Sequence, residues 1–405
     1  MAHESYQSGD RNPESHSFGG TSVDEREEEF DLALLQEAAW DIAKKVVTEW
    51  NGANEVLSVE FLAVEGYNRV WLTTYKTTKG EHKTSEEGNF VLRIPRSETP
   101  SLKPYQLQHE VGCLLFLEKN LPGIPAPRIY AWNDGVSKSG VPPFIAEEFI
   151  DGQRLSVLWP QLTENQKTAI IQEIANVIAD LGETRFPKIS GFTHDSHAGP
   201  TIEAAKVFNG RANFHSPEYY NIGPYADSKE YILACYDRKI SYYTHAAETD
   251  IIAEAFEKTS VADFINTLKL ERLGLLNHDE SLFRDIDAEP RVLVHEDFHA
   301  GNILVRDGHI VGILDWEFSG VYPLSELLGP ILILQVSSPG RDNLTEQEDV
   351  KWHERYLEEV ESVVLKRGWS KPSISALTGN GRPVLQKARS IMFPEVQEDE
   401  LEDGG

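Results

Sequence analysis

At 405 residues the chain is long enough for a substantial core and for two lobes or domains. Its 66 acidic residues against 38 basic ones leave a formal charge of −28, which repels phosphate backbones and argues against nucleic acid as a partner. The acidic excess reads as solvated surface, and it also suits a cationic substrate.

The opening MAHESYQSGDRNPESHSFGG has neither a basic start nor an apolar core segment, so no secretory signal is expected. No later run reaches transmembrane length, and a soluble cytoplasmic protein without membrane contact follows as the expectation. Residues 1–28 are polar and read as disordered. A helix comes next: Leu35, Ala39, Ile42, Val46 and Trp50 share a face, and Asn51-Gly52 ends it. The runs VLSVEFL, VWLTTY and FVLRIP predict three antiparallel strands. EGYNR separates the first two, and the polar insert KTTKGEHKTSEEGN separates the last two. An amphipathic helix over Tyr105 to Asn120 is stopped by LPGIPAP, and RIYAWN and PFIAEEFI give two more strands.

Beyond Asp151 the pattern turns helical. Thr163 with Gln166 forms a capping box for a helix reaching Gly182. SKEYILACYDRKISYY and DIIAEAFEKTSVADFINTLKLERLG read as further helices. Cys113 and Cys235 lie among apolar neighbours in such segments, as buried thiols of a reducing compartment. RVLV, ILV and IVGIL return to strand, the last two joined through Asp307-Gly308, a hairpin signal. A last helix near Val350 to Arg367 precedes a Pro/Gly-rich stretch and an acidic end. The divisions are a leading helix and strand-rich lobe over 29–150, a helical lobe over 151–385, and an acidic tail over 386–405.

Two chemistries compete for VLVHEDFHAGNILV. His295-Glu296-Asp297-Phe298-His299 is an H-E-x-x-H, which binds zinc when a helix sets both histidines on one face. Here it is entered from a β-branched run and followed by Gly301, which opposes a helix. His295-x-Asp297 with Asn302 five residues later is the alternative. A strand delivers the loop, a hairpin follows, and ILDWE sets Asp315 at the loop mouth. Phosphoryl transfer needs this set: a carboxylate for the attacking hydroxyl, with amide and carboxylate oxygens for Mg²⁺.

HEDFHAGNILV followed by GILDWE resembles the aminoglycoside phosphotransferase-like branch of the protein-kinase fold, which usually reads H-G-D-x-H-x-x-N and then I-D-W or I-D-F. The resemblance covers roughly residues 55–335. It implies an α+β, bilobal protein-kinase-like fold, with a five-stranded antiparallel N-lobe and a mainly helical C-lobe. It implies an ATP/Mg²⁺-dependent phosphotransferase acting on a small molecule's hydroxyl, with GTP left open as the donor. Asp297 would be the base, with His295 bracing its loop and His299 near the metal. Asn302 and Asp315 would hold Mg²⁺. Glu65, Gly66, Tyr67 and Asn68 would turn over the phosphates, Arg93 would stand where kinases have lysine, and Glu110 would pair with it. Glu147, Glu148 and Phe149 would fall on the hinge that holds adenine.

Two residues depart from the pattern. Glu296 replaces the usual glycine and is expected to face solvent, or else a cationic substrate. Arg93 replaces lysine and is bulkier and forked. Taken singly, Asp315 could be a strand end, Arg93 and Glu110 a surface pair, and Glu317 an outer or surface group. Acceptor contacts are expected between about 200 and 275, where FHSPEYYNIGPYADSKEYI brings aromatic and acidic groups suited to a cationic or ring-shaped molecule. No D-F-G to A-P-E segment follows Asp315, which disfavours a protein acceptor. The alternative function is a pseudokinase scaffold that keeps the fold.

Overall fold

In this computed structural model the described residues are 25–49, 53–65, 68–79, 84–96, 104–136, 141–202, 221–245, 260–278, 280–329, 343–379 and 382–391. The chain enters through α1 (Glu25–Glu49) and builds β1 (Ala53–Glu65), β2 (Asn68–Lys79), β3 (Thr84–Pro95), α2 (Tyr105–Asn120), β4 (Ile129–Asn133) and β5 (Phe144–Glu148). The five strands form one antiparallel sheet in the order β1-β2-β3-β5-β4. Alternation along the strands decides what each face does. Phe90, Leu92, Ile94, Phe144 and Ala146 turn one way and bury against the α1 stripe Ala39, Ile42, Ala43, Val46 and Val47. The residues between them, Val91, Arg93, Ile145 and Glu147, therefore turn the other way, toward the second lobe.

The insert expected at 76–89 is mostly ladder. Tyr75 pairs with Gly88, Thr77 with Glu86 and Lys79 with Thr84, so β2 and β3 extend as a long polar ribbon. Threonines and charges on both faces hid it from a search for half-buried strands.

The second lobe begins with β6 (Gln153–Arg154) and a helical turn, then α3 (Glu164–Gly182), β7 (Gly191–Phe192), β8 (Ala198–Gly199), α4 (Ser228–His245), α5 (Val261–Asn277) and α6 (Ser281–Asp287). The capping box is closed: Gln166 N–H donates to Thr163 Oγ1 and Thr163 N–H to Gln166 Oε1. The helix expected from 250 begins, among the described residues, at Val261, where the Ser260 hydroxyl accepts from Asp263 N–H. Strands β9 (Arg291–Val294), β10 (Ile303–Arg306), β11 (His309–Ile313) and β12 (Gly320–Pro323) follow, with α7 (Asn343–Lys366), α8 (Lys371–Thr378) and α9 (Pro383–Ser390).

The Pro/Gly-rich stretch thus holds two helices, because Pro372 and Pro383 sit in first turns, where a missing N–H costs nothing. Helix α9 spans the position, 385–386, at which the acidic tail was expected to start. Ile170, Ile174 and Ile178 of α3 are buried with Val360 and Val364 of α7 in one continuous core. Cys113 and Cys235 are buried free thiols. The architecture is α+β and bilobal, a five-stranded antiparallel lobe on a mainly helical one, in the protein-kinase-like arrangement. No helix among the described residues is long and apolar enough to cross a membrane.

Candidate active site

The loop after β9 is fastened by its own histidines. His295 is buried, and its ring packs on Trp316 with centroids 4.4 Å apart. Its Nε2–H donates to Leu314 O at 2.9 Å, and its Nδ1 accepts from Asp297 N–H at 3.3 Å. His295 therefore braces the loop against the end of β11. Glu296 is left-handed, with φ 69°. His299 is extended and its Nδ1 accepts from Gly301 N–H at 3.0 Å, starting the turn Ala300–Asn302. A Cβ at Gly301 would lie 2.6 Å from His299 Cε1, so a larger residue there would have to displace the ring that starts this turn. No helix runs from His295 to His299, so the zinc geometry of an H-E-x-x-H does not form. Among the described residues no three His, Cys, Asp or Glu side chains gather as metal ligands.

Asn302 Nδ2 donates to Asp297 O at 3.0 Å and to Asp297 Oδ2 at 3.1 Å. That commits its nitrogen, so the atom Asn302 can offer a cation is Oδ1. His299 Nε2 lies 3.6 Å from the same Asp297 oxygen. Leu314 N–H donates to Asn302 O at 2.8 Å, which ties the residue before Asp315 to this loop. Asp315 itself has φ 66°, a conformation that disfavours side chains and persists only where the surroundings impose it. The amide oxygen of Asn302 and the carboxylate of Asp315 are hard oxygen donors. They fit Mg²⁺, which takes one or two protein oxygens and fills its sphere with phosphate and water.

Across the cleft, Arg93 is ringed by carboxylates. It forms an ion pair with Glu110 of α2, and Glu147 and Glu317 stand 3.6 and 3.9 Å from its nitrogens. Burial works against its charge, but Glu110, Glu147, Glu317 and Asp315 hold its pKa well above the ordinary value. Burial pushes Glu147 up to about 7; Arg93 opposes this, and Glu110 and Asp315 add to it. Glu317 is raised well above its usual range, by burial first and then by Asp315 and Glu110. Asn68 Nδ2 donates to Glu317 Oε2 at 3.4 Å. Glu317, carried by the second lobe, is thus buried and reaches Asn68 and Arg93 of the first, so it is not a surface group.

Two further expectations change. Glu147 is not a hinge residue: it lies within β5, and strand parity turns it to the face of Arg93. Asn68 opens β2 and pairs with Glu65, the two ends of the expected turn, and its amide meets Glu317. Glu296 does not face solvent; its carboxylate pairs with Arg389 of α9, both side chains being 12% exposed. Glu148 ends β5, its N–H donating to Arg128 O at 2.8 Å, and Phe149 follows as the first linker residue. Gly66 and Tyr67 lie outside the described residues, as does much of the stretch expected to meet the acceptor.

His109, beside Glu110, was not singled out from sequence. It is fully buried, its Nδ1 accepts from Phe192 N–H at 2.8 Å, and its Nε2–H donates to Ser319 Oγ at 3.2 Å. Ser319 in turn donates to Trp316 O at 2.7 Å. Helix α2 is thereby bonded to the turn that carries Asp315. Burial lowers the His109 pKa to about 3, so the ring is neutral. A lone histidine inside an apolar helix carried no signal of this partner.

The profile of the phosphotransferase enzyme family matches residues 68–371. Among curated proteins, the chain is similar to Altered inheritance of mitochondria protein 9, mitochondrial, of Kluyveromyces lactis: 23% identity over 286 residues, 59% of this chain and 45% of that protein. The protein of the same name from Saccharomyces cerevisiae is 25% identical over 189 residues, 42% of this chain and 30% of that protein. The chain spans less than half the length of these curated relatives. Similar solved structures include a ternary complex of APH(2″)-IIa with streptomycin and ATP, at 14% identity and a TM-score of 0.45, covering 86% of this chain and 89% of that one. Aminoglycoside phosphotransferase APH(4)-Ia with AMP-PNP and hygromycin B is 17% identical with a TM-score of 0.42, covering 87% and 96%. The mitochondrial naming of the curated relatives overturns the cytoplasmic expectation. That expectation rested on a missing apolar signal, and matrix-targeting segments are amphipathic rather than apolar.

Proposed function

The chain belongs to the phosphotransferase enzyme family, and we propose that it moves the γ-phosphate of ATP to a hydroxyl of a small molecule, with Asp297 as base. One observation carries the reading: Asn302 bonds Asp297 through its nitrogen while keeping its oxygen for a cation, and the neighbour of Asp315 is bonded to Asn302. Base and metal ligands are therefore one hydrogen-bonded unit.

Transfer of this kind depends on positioning and charge more than on covalent chemistry. Asp297 orients the acceptor hydroxyl and takes its proton as the oxygen meets phosphorus. Asn302 fixes the plane of that carboxylate, and His295 fixes the loop beneath it. Asn302 Oδ1 and Asp315 would hold Mg²⁺, which would supply positive charge against the phosphate oxygens. Arg93 meets the phosphates from the first lobe, with Glu110 setting its direction. Adenine lies against the linker backbone from Phe149 onward. The acceptor enters from the helical lobe, and the charge of −28 favours one that is cationic. The names of the relatives support a mitochondrial location. A second reading, a nucleotide-binding protein without turnover, draws on Arg93, whose guanidinium three carboxylates already hold.

Thermal unfolding with Mg²⁺ and rising ATP, on wild type and Asp315→Asn, tests the site. Ligand at 100 times its Kd adds about 2.7 kcal/mol to the native state. A shift in wild type that the substitution weakens is expected. No shift in either protein removes the nucleotide site, and a shift without transfer to any hydroxyl acceptor selects the second reading.

A further inference from the structure

The residue before Asp297 is held in a conformation that a side chain resists. At φ 69°, Glu296 occupies the region that glycine enters freely and other residues enter roughly ten times less readily. Its carboxylate is not in solvent, where it would do nothing for the backbone. Arg389, from the last helix, donates to it through Nη2. The same guanidinium donates through Nη1 to Glu326 Oε2 at 2.6 Å and lies over the Tyr322 ring, 4.2 Å from its centroid. Tyr322 is on β12, paired with Val292 of β9, the strand that leads into the loop. Arg389 therefore touches the loop, the strand beside its entry and the turn that follows. At 12% exposure on each side, the pair with Glu296 escapes most solvent screening.

Helix α9 is itself anchored, so Arg389 works from a fixed base. Arg382 Nε donates to Glu289 Oε1 at 2.5 Å, just before β9, and Lys387 Nζ donates to Glu271 Oε1 of α5 at 2.8 Å. Leu385 and Ala388 are fully buried. Three cations in eight residues, each paired with a carboxylate of a different segment, fasten the chain's last described helix around the loop.

We propose that Arg389 is a positioning residue for the transfer: through Glu296 it holds the left-handed turn that aims the Asp297 carboxylate. This inference rests on the reading of Asp297 as base. Helix α9 thus couples the far end of the chain to the acceptor's proton.

Two substitutions at one position separate positioning from plain stabilisation. Glu296→Ala loses the ion pair and keeps a Cβ at φ 69°; Glu296→Gly loses the same pair and enters that conformation freely. Arg389→Met removes the pair from the other side. Amide hydrogen exchange over 295–302 is followed with ADP release from MgATP, with and without hydroxyl acceptors. Glu296→Ala and Arg389→Met are expected to exchange roughly tenfold faster in that loop, with α3 amides unchanged, and to lose turnover in kcat rather than KM. Glu296→Gly recovers most of what Glu296→Ala loses, alone and combined with Arg389→Met. Equal impairment by alanine and glycine, or an unchanged loop in Arg389→Met, overturns the proposal. Should Arg389→Met not fold, the alanine–glycine comparison decides alone. If wild type releases no ADP with any hydroxyl acceptor, the transfer reading falls, and the exchange pattern still decides whether the clamp exists.

Discussion

Glu147 invites the wrong guess. Its carboxylate stands 3.6 Å from Arg93, so removing its charge would ordinarily be expected to break an ion pair and weaken the fold. The surroundings argue the reverse. Glu147 Oε2 is buried and makes no hydrogen bond, Glu110 and Glu317 already compensate Arg93, and burial carries the Glu147 pKa up to about 7. A folded-state pKa above the unfolded one means that the native protein binds the extra proton. The stability this gives is complete below the unfolded value of 4.5 and is lost as pH rises through about 7. From 4.5 to about 7, at about 1.36 kcal/mol per pH unit, the wild type loses ~3 kcal/mol from this one group. Glu147→Gln mimics the protonated form and should escape that loss. Urea unfolding at pH 5 and pH 8 is the assay. The variant should match wild type at pH 5 within about 1 kcal/mol and exceed it by a few kcal/mol at pH 8. A variant less stable than wild type at pH 8 would refute the reasoning, because the ion pair with Arg93 would then outweigh desolvation.

Asp297→Ala is expected to lower kcat by about 10²–10⁴ with MgATP binding retained, as loss of a general base should; single-turnover kinetics beside calorimetric titration read the two separately. His109→Phe leaves the Phe192 N–H and the Ser319 hydroxyl without their buried partner and should cost about 2–5 kcal/mol at pH 7 by chemical denaturation. Its acid limb should also change. The folded His109 pKa is lowered to about 3 from 6.5, so its stability is present above 6.5 and is lost as pH falls toward 3. The phenylalanine variant, with nothing to protonate there, should lose less on going from pH 7 to pH 4.5. An identical slope in both proteins would contradict the buried neutral ring.

What could be read from sequence was local. Helix α2 has the bounds its pattern predicted, Tyr105–Asn120, and the Thr163 box caps α3. Asp307-Gly308 makes its hairpin with φ of 54° and 82°, the sign that a tight β-turn requires of both residues. The loop from His295 to Asn302 was legible too, because a strand, a glycine and a second strand left no room for a helix. What escaped depended on partners far along the chain. Glu296 and Arg389 are 93 residues apart, and Asn68 and Glu317 are 249 apart, distances over which one sequence carries no pairing signal. Glu147 is the instructive case. Its side could not be read from FIAEE, because Ile145 between Phe144 and Ala146 is apolar and buried as well; the packing of Phe144 and Ala146 on α1 sets the parity.

If Arg93 takes the phosphates as proposed, the ring of carboxylates around it makes that binding a proton-linked event. A phosphate that takes hold of the guanidinium strips Glu147 and Glu317 of the cation that opposed their protonation, and brings negative charge of its own. Both acids already hold protons more firmly than free carboxylates do. Association then draws protons out of the surrounding solution. The measured heat must vary with the ionisation enthalpy of whichever buffer supplies them, and the affinity must weaken with every step toward alkaline conditions.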